Sequence, residues 1–246
     1  MEGEAEGREV APAWLPLDAA LRAFRQGRVD AELRVVTDVG GTDTFPVSVL
    51  FREGGDLDPI DLAAADAARG SVLDVGAGAG ALAVLLAGRG HDVTALEPLD
   101  AACAELRARG LADVRRGGLE RTAPGERFDT VLSLMNGTGL AGTVEGLGPF
   151  LSGLAERTTP DGQILIDSTD PRDWVDPDDG RYPGEVHMQL SFDGTTGPPL
   201  PYLYVDAELL LDAAASVGLE GRVLLDAGEG RYLARLRPST SRATAS

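Results

Sequence analysis

Between Val72 and Asp167, short apolar runs alternate strictly with segments of helical character, and this alternation limits the folds that are open to the chain. The predicted strands are Val72–Val75, Asp92–Leu96, Asp113–Arg116, Phe128–Leu134 and Gln163–Asp167. The predicted helices are Ala81–Ala87, Ala101–Arg109 with Asp100 as its N-cap, and Val144–Arg157. Strands that alternate with helices predict an α/β fold of three layers, in which helices cover both faces of a parallel sheet.

The C-terminal part of the chain adds a helix and a hairpin to this pattern. We predict a helix at Asp206–Ser216, followed by strands at Gly221–Leu225 and Arg231–Leu236. The short glycine-containing link Gly228–Gly230 favours an antiparallel hairpin at the end of the sheet.

The segment before the alternation predicts a helix and a hairpin that precede the main sheet. Leu17–Gln26 has the spacing of an amphipathic helix, and Leu33–Thr37 and Phe45–Phe51 have β character on either side of Gly40–Gly41. A second helix is predicted at Pro59–Ala68. We therefore expect a cap segment at 1–58, disordered over 1–12, a main domain at 59–237 and a disordered tail at 238–246.

The stretch from Asp170 to Val205 interrupts the regular pattern. It holds six of the 15 prolines and five of the 12 aromatic residues of the chain. Buried aromatic side chains need a surface to pack on, so we expect this insertion to form a lid over a substrate. Glu185–Phe192 alternates in polarity and predicts an extra strand.

Composition excludes several kinds of chemistry. The chain has no lysine, which excludes a lysine Schiff base. Its net charge of −18 disfavours nucleic acid as a partner. Its single cysteine, Cys103, excludes an internal disulfide and a multi-cysteine metal site and is expected to be a small core residue in a cytoplasmic protein. Two separate histidines do not suggest a metal site, and no apolar run is long enough to span a membrane.

The segment Asp74–Gly80 places glycines at alternate positions, Gly76, Gly78 and Gly80, between a predicted strand and a predicted helix. Glycines there let the backbone turn sharply and approach a ligand closely, and the helix N-terminus adds free N–H groups. The loop alone does not identify the ligand, because Gly76, Gly78 and Ala81 also satisfy the dinucleotide pattern G-x-G-x-x-A.

Taken with the acidic residue Asp74 before the glycines and Glu97 at the end of the next strand, the sequence closely resembles the class I S-adenosylmethionine-dependent methyltransferases. The resemblance runs from about Pro59 to Arg237. It implies a Rossmann-like fold with a seven-stranded, mostly parallel sheet and an antiparallel C-terminal hairpin. The N-terminal segment then corresponds to a variable cap, and the insertion follows the fifth strand.

The resemblance also implies a set of residues that bind S-adenosylmethionine. Asp74 would organise the loop and the amino group of the cofactor, and Glu97 would accept hydrogen bonds from the ribose hydroxyls. The implied contacts of the cofactor are Asp74, Gly76, Ala77, Gly78, Gly80, Glu97, Pro98, Leu119, Met135 and Asn136. Many members of the family have an acidic residue after the third strand that contacts the adenine, whereas this chain has Gly117-Gly118-Leu119-Glu120, so that contact stays open.

His187 is the one candidate for a catalytic base, because it lies in the aromatic insertion; the alternative is an ordinary strand residue. His91 is expected on a surface loop. Asp167 and Asp170 orient a substrate, accept a proton or cap a loop. Asn136 lies in a tight turn, in the site, or in both.

We therefore expect an enzyme that transfers a methyl group in line from S-adenosylmethionine to a small-molecule acceptor. It would act as a monomer or homodimer, without a membrane or nucleic acid. The alternatives are an NAD(P)-dependent oxidoreductase, a non-catalytic S-adenosylmethionine-binding module, and a methyltransferase that acts on protein or RNA.

Overall fold

The computed structural model describes residues 11–172, 174 and 180–239, so most of the two predicted tails lies outside the described residues. The helices are α1 (Leu15–Arg25), α2 (Pro59–Ala67), α3 (Ala81–Gly88), α4 (Asp100–Ala108), α5 (Val144–Glu156) and α6 (Ala207–Ser216). The strands are β1 (Glu32–Thr37), β2 (Thr42–Pro46), β3 (Ser71–Val75), β4 (Asp92–Glu97), β5 (Asp113–Arg116), β6 (Phe128–Ser133), β7 (Thr158–Thr169), β8 (Glu185–Phe192), β9 (Thr195–Thr196), β10 (Leu200–Leu203), β11 (Leu219–Gly228) and β12 (Arg231–Pro238). Short 3₁₀ turns occur at Pro12–Trp14, Val47–Phe51, Gly54–Asp56, Leu119–Arg121 and Gly137–Ala141.

A central sheet of seven strands has the order β11-β12-β7-β6-β3-β4-β5. The pairs among β7, β6, β3, β4 and β5 are parallel, whereas β12 runs antiparallel to β7 and pairs with β11 in a terminal hairpin. The predicted seven-stranded sheet and its antiparallel hairpin are therefore confirmed. The chain order reverses at β3, whose neighbours are β4 and β6, and the crevice at the carboxyl ends of such strands is where open α/β sheets bind ligands.

Two apolar cores lie on opposite faces of the central sheet, because successive side chains of a strand point to opposite faces. Along β3, Leu73 packs with the residues of α5 and α6, while Val72 packs with those of α2, α3 and α4. Both side chains are fully buried. Burying these apolar side chains is the main favourable contribution to folding, and it fixes the frame that carries the loops at the strand ends.

A second sheet, which we call the cap sheet, has the order β10-β8-β1-β2, with β9 paired to β8. It joins the N-terminal hairpin to the predicted extra strand of the insertion, and β1 pairs antiparallel with β8 over Arg34–Thr37 and Met188–Ser191. The strand at Glu185–Phe192 is confirmed, but its union with the N-terminal hairpin was not predicted. Met188, Leu190 and Leu33 of this sheet pack with α1 in a third apolar core.

Two local predictions in the N-terminal half are wrong. The run Phe45–Phe51 is a strand only to Pro46, because proline has no N–H for the ladder and the chain then turns into the 3₁₀ turn Val47–Phe51. Asp100 is not the N-cap of α4 but its first residue; Leu99 occupies the N-cap position without a side-chain bond. The range 1–12 expected to be disordered overlaps by one residue, Pro12, with the 3₁₀ turn Pro12–Trp14.

Candidate functional site

A cavity of about 550 Å³ lies between the carboxyl ends of β3, β4 and β6 and the inner face of the cap sheet. The floor is formed by the glycine loop and the residues just after β4 and β6, and the roof by α1, β1, β2, β8 and β10. The ionisable side chains that line it among the described residues are Asp43, Asp61, Asp74, Glu97, Tyr202 and Tyr204. None of the described residues that line it is basic, so the cavity favours a neutral or positively charged ligand.

The glycine loop after β3 is held by its own backbone. The N–H groups of Gly76 and Ala77 both donate to the carbonyl of Leu96, at 2.9 and 3.1 Å. Gly76 and Gly78 have φ of +78° and +56°, in the left-handed region that favours glycine. Because these bonds tie the loop to the end of β4, its backbone lines the cavity in a fixed position.

Glu97, the last residue of β4, closes the other side of the loop. Its Oε2 accepts a hydrogen bond from the N–H of Gly78 at 2.8 Å, and its Oε1 accepts one from the N–H of Leu99 at 2.9 Å. Burial raises the pKa of Glu97 to about 7, against the effect of the two N–H donors. A carboxylate has about four lone-pair sites, so both oxygens can still accept bonds from a ligand in the cavity.

Asp74 is the second buried carboxylate of the site, with 5% of its surface exposed. Burial, followed by the nearby carboxylates of Asp61 and Glu97, raises the pKa of Asp74 to about 7. No donor among the described residues forms a hydrogen bond with Asp74, although its side chain lines the cavity. An acid placed in this way is suited to a cationic group of a ligand.

Met135 and Asn136 form a tight turn after β6, with φ of +61° and +60°. Left-handed conformations of residues other than glycine are strained, and here Asp167 holds the turn by accepting the N–H of Asn136 at 3.0 Å and that of Gly137 at 2.8 Å. Burial raises the pKa of Asp167 to about 6. Asp167 is therefore a loop cap, and both Met135 and Asn136 reach the cavity, so the turn and the site coincide.

The structure brings most of the predicted cofactor contacts together, but not all of them. Eight line the cavity: Asp74, Gly76, Ala77, Gly78, Glu97, Pro98, Met135 and Asn136. Gly80 is the left-handed N-cap of α3. A Cβ atom there would lie 2.6 Å from the side chain of Leu106, so the position requires glycine because of packing against α4. Leu119 packs against the core between the sheet and α5, and Glu120 accepts a hydrogen bond from the N–H of Gly118 at 3.0 Å.

His187 does not reach the cavity. Its ring Nδ1 lies 3.0 Å from Oδ2 of Asp38 and 3.3 Å from Nη1 of Arg181, and its side chain is 53% exposed. Its neighbours Met188 and Leu190 line the cavity, and alternate residues of a strand point to opposite faces. Asp170 also lies outside the cavity, where it forms an ion pair with Arg172.

The sequence led us to expect that the N-terminal segment helps to roof the acceptor pocket, but it did not identify which of its residues do so. Leu17 and Leu21 of α1 line the cavity beside Pro98 and Leu99, and Val35 and Phe45 line it from the cap sheet. The period-two alternation of β1 marks the inward positions, but it does not show that this strand faces the glycine loop. Asp61, in the first turn of α2, also lines the cavity and was read only as part of a helix.

The described residues hold no cluster of three or more histidine, cysteine or acidic side chains arranged for a metal ion. In the same part of the chain, no helix combines the length and apolar character that crossing a bilayer requires.

The sequence matches no family model, and none of the curated proteins matches it. Among solved structures, a methyltransferase from Bacteroides fragilis in complex with S-adenosylhomocysteine is 32% identical, with a TM-score of 0.84 over 94% of this chain and 98% of that chain. The uncovered 6% is about 15 residues, fewer than the cap sheet holds, so the similarity extends into that sheet.

More distant structures share the fold alone. DesVI from Streptomyces venezuelae is 21% identical with a TM-score of 0.57, over 75% of this chain and 94% of that chain. The sugar N-methyltransferase KedS8 from a Streptoalloteichus species is 20% identical with a TM-score of 0.55, over 73% and 85%. The similarity to the Bacteroides fragilis protein decides between the two ligand classes that the glycine loop alone left open: the chain belongs to the S-adenosylmethionine-dependent methyltransferases.

Proposed function

We propose that the cavity binds S-adenosylmethionine and that the enzyme transfers its methyl group to a small-molecule acceptor. The observation that carries the proposal is the pair of buried carboxylates, Asp74 and Glu97, which lie near the carboxyl ends of two adjacent parallel strands, beside the glycine loop. Both line one cavity whose described lining contains no basic residue.

The residues of the cavity fit each part of the cofactor. Asp74, which lacks a donor among the described residues, suits the ammonium group, and Glu97 keeps lone pairs for the ribose hydroxyls. The backbone at Gly76 and Gly78 permits close approach of the methionine part. Pro98, Leu99 and Leu17 give the same cavity apolar surface that would contact the adenine, in place of the missing acidic contact near Gly118.

The cofactor supplies a methyl group on a sulfonium, which is already activated for displacement. The protein therefore contributes mainly alignment, a contribution that reaches about 7–11 kcal/mol in well-oriented systems. Met135 and Asn136 border the reacting end, and Asp167 keeps their turn in place. The cap sheet lines the cavity opposite the glycine loop and would shield a bound cofactor from water.

The cap sheet also indicates the kind of acceptor. Val35, Phe45, Met188 and Leu190 face the cavity with apolar surface, which suits an apolar or aromatic small molecule. The acidic lining and the net charge of −18 disfavour anionic acceptors and nucleic acid. In this proposal, residues 1–58 and the insertion 170–205 form the cap of a methyltransferase domain at 59–237, acting as a monomer or homodimer in the cytoplasm.

Calorimetry and a turnover assay test the proposal. The wild-type protein should bind S-adenosylhomocysteine and not NADH, and it should transfer labelled methyl groups to members of a panel of small aromatic alcohols and amines. Asp74→Asn should weaken binding of S-adenosylhomocysteine by about 1.5–3 kcal/mol, the usual effect of losing a charged hydrogen bond. The matched control Asp66→Asn removes a carboxylate that is 72% exposed and should leave binding unchanged.

The outcomes separate the alternatives. Binding of NADH without S-adenosylhomocysteine would end the proposal. Binding of S-adenosylhomocysteine without turnover on any acceptor would instead favour a non-catalytic binding module.

A further inference from the structure

Strand β10 of the cap sheet is fixed to the turn after β6, which borders the reacting end of the cavity in the proposed function. Nδ2 of Asn136 donates to the carbonyl oxygen of Leu203 at 3.0 Å. The hydroxyl of Tyr202 lies 3.4 Å from the carbonyl oxygens of both Met135 and Asn136. These contacts hold the side chains of Tyr202 and Tyr204, which both line the cavity, beside its reacting end.

The two tyrosines belong to a row of three aromatic side chains. The ring centroids of Tyr202 and Tyr204 are 5.3 Å apart, and the ring of Trp174 lies 4.8 Å from that of Tyr204, both pairs in edge-to-face geometry. The faces of aromatic rings attract cations. The space beside the rings of Tyr202 and Tyr204, which we call the aromatic corner, therefore suits a ligand atom that carries or gains positive charge.

Tyr204 differs from the other three tyrosines in its hydroxyl group. The hydroxyl of Tyr182 donates to Asp206 at 2.7 Å, that of Tyr232 donates to a backbone carbonyl at 2.8 Å, and that of Tyr202 faces the two carbonyls after β6. No residue that the structure describes forms a hydrogen bond with the hydroxyl of Tyr204. Burial raises the pKa of Tyr204, so its phenol stays neutral and offers lone pairs to a ligand in the cavity.

The carboxylates that line the described part of the cavity are not placed to act as a base at the aromatic corner. Asp74 and Glu97 are assigned to the cofactor, and Asp61 is paired with Arg52 at 3.1 Å. Asp43 belongs to β2, which lies three strands from β10 in the cap sheet, a separation of about 14 Å. An alcohol needs a base to take its proton as it attacks, whereas a neutral amine attacks with a lone pair and needs none.

We propose that the acceptor is an apolar or aromatic amine whose nitrogen lies in the aromatic corner, where the hydroxyl oxygen of Tyr204 accepts its N–H. The inference rests on the proposed function, since it names the acceptor of that reaction. The lone pair of the neutral nitrogen forms the bond to the methyl carbon, while the carbon–sulfur bond breaks and its electron pair stays on sulfur. The positive charge passes to nitrogen, where the rings of Tyr202 and Tyr204 stabilise it, and the nitrogen then loses a proton to water.

Methyl transfer to matched pairs of acceptors tests the inference. The amines 2-phenylethylamine, benzylamine and cyclohexylamine are each compared with the alcohol of the same skeleton, using the full-length wild-type protein and labelled S-adenosylmethionine. We expect N-methylated products, and values of kcat/KM for the alcohols that are lower by about a hundredfold or more, the usual contribution of the base that they would need. Tyr204→Phe should lower kcat/KM for the amines by about three- to tenfold, as for the loss of one neutral hydrogen bond.

Thermal unfolding separates a role of Tyr204 in binding from a structural role. Because its hydroxyl has no partner in the described part of the chain, Tyr204→Phe should leave the melting temperature and the affinity for S-adenosylhomocysteine unchanged. The matched control Tyr182→Phe also loses a tyrosine hydroxyl, but one that binds Asp206 away from the cavity. This control should lower the melting temperature and leave kcat/KM unchanged.

Calorimetry on the complex with S-adenosylhomocysteine gives a measurement that does not depend on turnover. 2-Phenylethylamine should bind this complex about tenfold more tightly than 2-phenylethanol, as expected for a cation over aromatic rings. Tyr204→Leu removes one of the two rings and should reduce this preference, whereas Tyr182→Phe should keep it.

The outcomes distinguish this inference from the proposed function. Equal transfer to amines and alcohols would overturn the inference, as would equal affinity for the two probes or an unchanged kcat/KM in Tyr204→Phe. A fall in the melting temperature of Tyr204→Phe would show that its hydroxyl is structural. In each of these cases the transfer of methyl groups to small molecules would stand. Failure to bind S-adenosylhomocysteine, or absence of transfer to every acceptor, would instead overturn the proposed function and the inference with it.

Discussion

Oδ1 of Asp18 accepts a hydrogen bond from the backbone N–H of Ala101 at 2.8 Å, across 83 residues of sequence. Asp18 lies in α1, and Ala101 lies in the first turn of α4, where helical N–H groups have no partner within the helix. The other oxygen of Asp18 binds Arg22 at 2.6 Å. The cap helix thus supplies the N-terminal cap that α4 lacks, and this bond holds Leu17 and Leu21 over the cavity.

Loss of the Asp18 carboxylate should loosen the docking of α1 on α4. We expect Asp18→Ala to lower the free energy of unfolding by about 1–2 kcal/mol, as for the loss of a helix cap. Asp18→Asn keeps a side-chain oxygen that can accept the same bond and should cost less than half as much. Urea unfolding followed by circular dichroism measures both, and equal losses in the two variants would contradict the assignment of Asp18 as a cap.

The raised pKa of Asp74 makes stability depend on pH. An aspartate in an unfolded chain titrates near 3.9, whereas Asp74 in the folded protein titrates at about 7. Between these values the folded protein holds a proton that the unfolded chain has lost, so the contribution of Asp74 to stability falls as the pH rises from about 4 to about 7. Above about pH 7 the contribution stays at its lower level.

Asp74→Asn removes this titration. The unfolding free energy of the variant, relative to wild type, should therefore increase between pH 4.5 and pH 8, by about 1.4 kcal/mol for each pH unit from 4.5 to about 7. The titration of Glu97 contributes to the unfolding free energy of both proteins, so its effect on the difference largely cancels. Urea unfolding at both pH values checks the prediction, and a difference that does not change with pH would show that Asp74 has an ordinary pKa.

Gly139 gives a test of the roof of the cavity. A Cβ atom at this position would lie 2.2 Å from Cζ of Tyr202, so Gly139→Ala must displace the ring. We expect a loss of about 1–3 kcal/mol in stability and weaker binding of the acceptor. The control is Gly148→Ala in α5, where the nearest atom would be 3.9 Å away and alanine should be neutral or stabilise by about 0.5–1 kcal/mol. Two variants of equal stability would show that Tyr202 moves freely.

Adjacent residues of β8 give a test of which face of the cap sheet matters. His187 faces Asp38 and Arg181, whereas Met188 lines the cavity. We expect His187→Asn to change kcat/KM of methyl transfer by no more than about twofold, as for a surface substitution. Met188→Ala should raise KM for the acceptor. A large fall in kcat for His187→Asn, without a change in the melting temperature, would indicate that His187 acts as a catalytic base.

The sequence was sufficient for the central sheet because each of its strands carries a local signal. The glycines after Val75 and the acid at Glu97 occupy recognisable places in a strand-loop-helix-strand pattern, and the structure brings both to one cavity. The strand Glu185–Phe192 was also predictable, since its alternation is a property of that segment alone.

The contacts between distant segments were not predictable. No local sequence pattern connects β1 with β8, which pair in the cap sheet. The same is true of the hydrogen bond between Asp18 and Ala101 and of the contact between Arg52 and Asp61. The alternation of His187 with Met188 did contain a usable signal, because it separates the two residues on opposite faces. What it lacked was the identity of the face that meets the glycine loop.

The position of β1 between β2 and β8 has a consequence for how the protein is made. The ribosome adds β8 about 150 residues after β1, a delay of roughly 7–30 s at ~5–20 residues per second. During translation the edge of β1 that later pairs with β8, over Arg34–Thr37, stays unpaired. The parallel strands β3 to β7 are therefore made before the roof over the acceptor can assemble, and until then the exposed edge of β1 is where a chaperone would act.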